Sequence, residues 1–160
     1  MKERKKSGAW RRQDRSEEPA DSRPLVLYVE DDPDNRNVMQ LRLGDRFSLI
    51  VAGGDREACE AMRAHHEALS CILMDIELKG SVLNGVELAG LMTGRDIDVL
   101  LPDYARDLLP TDAPLLFVTA YGEEYDTATL KAAGGVCVVR KPVDFSELAE
   151  AMSAVLARAG

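Results

Sequence analysis

The chain has 160 residues, 46% hydrophobic and 30% charged, which suits one ordinary globular domain with a substantial core and leaves little room for two. No apolar run approaches the roughly 18 residues of a membrane span, and the basic N-terminus lacks the apolar core of a secretion signal, so a soluble, cytoplasmic protein is expected. The formal net charge of −8 conceals an asymmetry, because the first fifteen residues carry seven Lys/Arg against Glu3 and Asp14.

That asymmetry marks residues 1–23 as a charged, disordered tail, poor in apolar side chains apart from Trp10. A solvated arm is the plainer reading, and contact with nucleic acid or an acidic partner is the alternative. From residue 24 onward short apolar runs alternate with helical patterns. LVLYVE (25–30), FSLIVA (47–52), CILMD (71–75), LLFVT (115–119) and VCVVR (136–140) have the length of strands and are too short for helices. Helix formers with apolar residues at three- and four-residue spacing fill 34–43, 55–69, 84–92, 123–133 and 145–159. Pro33 opens the first helix, Asp55 is expected to cap the second, and Asp144 with Glu147 resembles a capping box before the last. Cys59, Cys71 and Cys137 lack metal or disulfide spacing and read as buried thiols, while His65 and His66 read as surface residues.

Strands that are continuous apolar runs are covered on both faces, and strict alternation with helices implies parallel neighbours joined by right-handed crossovers. The expected fold is a doubly wound α/β sandwich with a five-stranded parallel sheet. In such a sheet the C-terminal strand ends share one edge, where ligand sites form. That edge collects Glu30, Asp31 and Asp32 from the first strand, Asp75 from the third, Thr119 from the fourth and Lys141 after the fifth. Carboxylates packed this closely call for a compensating charge, and an oxygen-lined site suits a hard cation such as Mg²⁺. With a lysine and a hydroxyl to take the remaining oxygen charge, the set is equipped to place a phosphoryl group on Asp75.

These positions resemble the receiver domain of two-component response regulators over about residues 25–159. LVLYVEDDPDNR resembles the family's first strand and acidic pair, which implies Glu30 and Asp31 as metal-site acids, with Asp32 displaced toward the loop. LMDIEL resembles the phosphoacceptor strand, implying Asp75 as acceptor and the Glu77 carbonyl as a backbone metal ligand. LLFVTAYG implies that Thr119 hydrogen-bonds the phosphoryl group and that Ala120 leaves it room, and VVRKP implies Lys141 as its cationic partner, on a Lys141–Pro142 peptide that is typically cis in the family. By the same resemblance the fold is the flavodoxin-like (βα)5 sandwich of strand order 2-1-3-4-5, an order taken from the family.

The resemblance implies a sensor histidine kinase or phosphotransfer protein as phosphodonor, Mg²⁺ as cofactor, a downstream protein partner and a possible homodimer. It implies a signalling domain with self-catalysed phosphotransfer and autodephosphorylation, not a turnover enzyme. No DNA-binding domain is expected after the fifth helix, and no membrane contact is expected. Three features depart from the family pattern. Gly85 stands ten residues after Asp75 where eight is usual, Val138 occupies the aromatic switch position, and residues 93–112 lengthen the link from third helix to fourth strand. Val99, Leu100, Leu101, Tyr104, Leu108 and Leu109 suggest a short amphipathic helix in that insertion, packed on the domain at the sheet edge opposite the site. Glu77 and Tyr121 are placed to admit or screen the water that hydrolyses an acyl phosphate. Two rival readings are an adaptor that works without phosphorylation and an aspartyl-phosphate phosphatase, the latter disfavoured because its acidic motif belongs on the first strand.

Overall fold

The structure, a computed structural model, describes residues 21–120 and 125–159. The charged tail up to residue 20 and Tyr121, with the readings attached to them, lie outside the described residues. The elements are β1 (Leu25–Val29), α1 (Pro33–Leu43), β2 (Ser48–Ala52), α2 (Asp55–His65), β3 (Cys71–Met74), α3 (Gly85–Met92), a 3-10 turn (Asp103–Ala105), β4 (Leu115–Thr119), α4 (Thr127–Ala132), β5 (Gly135–Arg140) and α5 (Phe145–Ala159). All strand pairs are parallel and the sheet order is β2-β1-β3-β4-β5, the doubly wound arrangement expected.

Alternation along each strand sends neighbours to opposite faces, which is why the strands read as unbroken apolar runs. Leu27, Val29, Ile72, Met74, Leu115 and Phe117 pack with Met62 of α2, Leu88 and Met92 of α3 and Leu130 of α4. Val26, Tyr28, Leu73, Leu116 and Val118 pack on the other face against Met39 and Leu43 of α1 and Leu148 and Met152 of α5. Cys59 and Cys71 are buried free thiols and Cys137 is half-buried.

Several local expectations are corrected. Asp55 is not the cap of α2: Gly54 stands at that position without a side-chain bond, and Asp55, the first helical residue, is only 4% exposed. α2 ends at His65 because the chain turns, with the Ala68 and Leu69 amides on the His65 carbonyl, and drops Leu69 into the core. α4 begins at Thr127, where the Asp126 carboxylate accepts the Thr129 amide at 2.7 Å. Asn84 and Glu87 form a reciprocal capping box on α3, an N-x-x-E signal that was present in the sequence. Asp144 accepts the Glu147 amide at 3.0 Å, as its position suggested. His65 and His66 are half-buried rather than fully at the surface.

The connection from α3 to β4, residues 93–114, holds no amphipathic helix. Pro102 and Pro110 interrupt the pattern and Asp107 takes a positive φ of 56°, so only the 3-10 turn forms. Ala105 and Leu108 are buried while Leu100 and Leu109 are 88% and 62% exposed. The segment does not stay at the far edge of the sheet: it runs along α2 until the Tyr104 hydroxyl reaches Asp55, the first residue of α2, three positions beyond the end of β2.

Candidate functional site

Parallel register sets the site. Val29 lies opposite Met74 on one side and Ala52 on the other, so Glu30 and Asp75 leave the sheet side by side. The Glu30 amide donates to the Ala52 carbonyl at 2.9 Å and the Asp75 amide to the Val29 carbonyl at 3.1 Å, carrying the ladder one residue beyond each strand. Across the sheet Thr119 pairs with Arg140, and the Lys141 amide donates to the Thr119 carbonyl at 3.2 Å. The Lys141–Pro142 peptide is cis.

The Lys141 Nζ stands 2.9 Å from both Glu30 Oε1 and Asp75 Oδ2. Asp75 is 5% exposed, and its Oδ1 accepts the Ile76 amide at 2.8 Å. Glu30 is fully buried, its Oε1 also takes the Asn35 side-chain amide, and its Oε2 has no hydrogen-bond partner among the described residues. Burial, reinforced by the neighbouring Asp75, pushes the Glu30 carboxyl up to about 7, against the opposing pull of Lys141 and Asn35. For Lys141, burial favours the neutral amine, but the bonds to Glu30 and Asp75 outweigh it and the ammonium is held above its ordinary range.

Among the described residues, Glu30, Asp31 and Asp75 each offer an oxygen within 4.8 Å of one another. They open on a cleft of about 160 Å³ that Glu77 and Lys79 also line. Asp32 lines it as well; of the three clustered acids Glu30 and Asp75 share the Lys141 ammonium, and among the described residues one buried oxygen, Glu30 Oε2, is without a donor. That donor set fits a hard, oxygen-seeking cation such as Mg²⁺. Thr119 is fully buried at the same sheet edge, beside Lys141, and is not among the residues that line the cleft.

Supporting residues were less visible in the sequence. Asp32 caps α1, accepting the Asp34 and Asn35 amides at 2.8 and 3.3 Å, while also lining the cleft. Asn35 then faces Glu30, and the Arg36 guanidinium donates to the Glu30 and Asp31 carbonyls at 2.8 and 3.0 Å. One turn of helix after a Pro-Asp start brings both back over the strand end, a signal that a helical wheel could have found. Lys79 contributes its backbone, the amide donating to Asp31 Oδ2 at 3.0 Å. Gly85 sits against the acceptor strand, where an added Cβ would come within 1.8 Å of the Asp75 carbonyl oxygen. Only glycine admits that approach, and the longer loop before it is accommodated in the bulge of residues 77–83. Val138 is half-buried and lines a cavity of about 330 Å³ with Tyr125 and Leu130, between β5 and α4.

The family model of the response regulator receiver domain matches residues 26–153. A search of curated proteins found no match. Among solved structures, the chain is similar to the Francisella response regulator 1452 receiver domain, with a TM-score of 0.67, 18% identity, and coverage of 86% of this chain and 99% of that one. It is also similar to the receiver domain of the sensor histidine kinase PA1611 from Pseudomonas aeruginosa, solved with a magnesium ion in its active site cleft (TM-score 0.65, 20% identity, 85% and 99% coverage). NtrX from Brucella abortus gives a TM-score of 0.67 at 20% identity over 85% of this chain, which spans only 27% of the NtrX chain. At these identities the likeness is one of fold.

Proposed function

Because this chain belongs to the response regulator receiver domain family, we propose that it accepts a phosphoryl group on Asp75 from a histidine kinase or phosphotransfer protein and signals through protein contacts. Receivers are signalling domains of two-component systems, and phosphoryl acceptance at a Mg²⁺-binding acidic pocket is their general property. The observation that carries the assignment to these residues is the Lys141 ammonium bridging Glu30 and Asp75 beside a carboxylate oxygen with no donor.

A carboxylate oxygen of Asp75 attacks phosphorus as the P–N bond of a phosphohistidine breaks and its electron pair returns to the imidazole. Lys141, already paired with Asp75, stays beside it and neutralises the phosphoryl oxygens. Thr119, at the end of β4, supplies the hydroxyl that the phosphoryl group draws inward. Glu30, Asp31, Asp75 and the Glu77 carbonyl would hold Mg²⁺, which supplies further positive charge against those oxygens. Asp75 is nearly buried and lines the cleft, so the phosphodonor would be presented at the cleft. The downstream partner, a possible homodimer and a cytoplasmic setting complete the reading; no described helix is long and apolar enough to cross a membrane.

Val138 favours a second reading, an adaptor that works without phosphorylation, because an aliphatic side chain cannot make an aromatic rotamer change. Intact-mass spectrometry after incubation with Mg²⁺ and phosphoramidate separates the two. A gain of about 80 Da, the mass of one phosphoryl group, that needs Mg²⁺ and vanishes in Asp75→Asn is expected; no gain with either phosphoramidate or a cognate kinase would leave the adaptor.

A further inference from the structure

The long α3–β4 connection meets the acidic cleft through one buried carboxylate. Asp55 Oδ2 accepts the Tyr104 hydroxyl at 2.6 Å and the Val82 and Leu83 amides at 3.1 Å each. Its own amide donates to Ser81 Oγ at 3.0 Å. Residues 81–83 thus have their backbone and side chain tied to the start of α2. The same loop, a few residues earlier, presents the Lys79 amide to Asp31 at 3.0 Å and carries Glu77 along the cleft.

Tyr104 is itself held in place. The Arg56 guanidinium lies 4.4 Å from its ring centroid, and Arg63 donates to the Tyr104 carbonyl and, at 3.3 Å, to the Arg106 carbonyl. Ala105 beside it is fully buried, which anchors the 3-10 turn on α2. Residues 79–83 have no regular secondary structure beyond one turn, closed by the Ser81 amide on the Leu78 carbonyl at 3.1 Å with Gly80 at a φ of +81°, and Leu78 and Leu83 are buried. Between turn and core, the Lys79, Val82 and Leu83 amides are received by two carboxylates, Asp31 at one end and Asp55 at the other.

We propose that Tyr104 is a positioning residue for the acidic cleft: its hydroxyl orients Asp55 on the Val82 and Leu83 amides, which fixes the loop from which the Lys79 amide reaches Asp31 and Glu77 lines the cleft. The cation half of this inference rests on the receiver reading above. A loop that is ordered before the cation arrives does not have to be ordered by it, so the residue raises cation affinity without touching the cation. The connection that departs from the family in length is in this way a support of the site.

Tyr104→Phe in the full chain tests this, since it keeps the ring over Arg56 and removes only the hydroxyl. Hydrogen exchange by mass spectrometry reads the loop, and Mg²⁺ calorimetry of the unphosphorylated protein reads the cleft. Exchange over residues 78–83 is expected to quicken about tenfold, and the Mg²⁺ dissociation constant to rise about fivefold, while peptides from α1 exchange as before. Unchanged exchange over 78–83 overturns the proposal. So does faster exchange there with unaltered Mg²⁺ affinity, or a uniform rise across the whole domain, which a merely structural role would give. If the wild-type chain binds no Mg²⁺, the receiver reading and the cation half fall together, and the exchange data alone decide whether Tyr104 positions the loop.

Discussion

Glu30 and Asp55 are both acids buried at the same edge of the sheet, one after β1 and the other after β2, and they are treated in opposite ways. Asp55 receives donors on both oxygens: the Arg56 amide on Oδ1 and Tyr104, Val82 and Leu83 on Oδ2. Burial would raise its carboxyl, but those bonds prevail and hold it below the usual carboxylate range. Glu30 is more deeply buried, shares its cation with Asp75, has no donor on Oε2 among the described residues and is pushed upward. A satisfied acid is a structural tie. An acid left short of donors in a polar cleft is held ready for something that the protein does not itself supply.

The sharpest test of that contrast is Asp55→Ala, which takes the acceptor from two loop amides and the Tyr104 hydroxyl. Urea unfolding should lose about 3 kcal/mol; a loss below about 1 kcal/mol would mean that water replaces the carboxylate and that the contrast is overstated.

The pH dependence should have opposite signs for the two acids. Glu30, raised from an ordinary 4.5 to about 7, binds more protons in the native state across that interval, so its contribution to stability declines as pH rises from 4.5 to 7 in the absence of divalent cation. Asp55, lowered from 3.8, contributes fully above that value and loses its contribution as pH falls through its folded-state pKa. Unfolding free energies measured from pH 3 to 8 in EDTA should show the decline in wild type and not in Glu30→Gln, with the acid limb kept in both.

At a fixed neutral pH, Glu30→Gln should leave the metal-free protein as stable or raise it by about 1 kcal/mol, because a poorly solvated charge is removed. The same variant should lose the rise in melting temperature that Mg²⁺ gives the wild type. Destabilisation in EDTA would show that the Lys141–Glu30 pair is a net support. The smallest effect belongs to Asp32→Asn. Asparagine caps a helix as well as aspartate, so a change of about 0.3 kcal/mol is expected by thermal melting, and a loss above 1 kcal/mol would give Asp32 a role beyond the cap.

Much of the site was legible before any coordinates, and particular residues say why. Glu30, Asp31, Asp75 and Lys141 follow apolar runs, and parallel strands bring every such ending to one edge, so topology alone made them neighbours. Thr119 was placed at that edge by the same rule, but not its position just behind the cleft lining. Asp55 was misread because a capping rule looks only at the residues that follow, while its partners come from 27, 28 and 49 positions away. Of the six apolar residues expected to form an amphipathic helix at 99–109, Leu108 is buried and Leu101 and Tyr104 pack partly on the core, while Val99, Leu100 and Leu109 are exposed, and Pro102 with a left-handed Asp107 breaks the helix.

By itself, then, the sequence determined the alternation of strand and helix, the burial of both sheet faces and the gathering of acids at one edge, since these follow from local periodicity and from the fixed hand of parallel crossovers. Only the tertiary structure decided which buried acid is saturated and which is left wanting. Hydrogen-bond partners for a buried carboxylate are drawn from loops distant in sequence, and their spacing is set by how the connections pack on the helices.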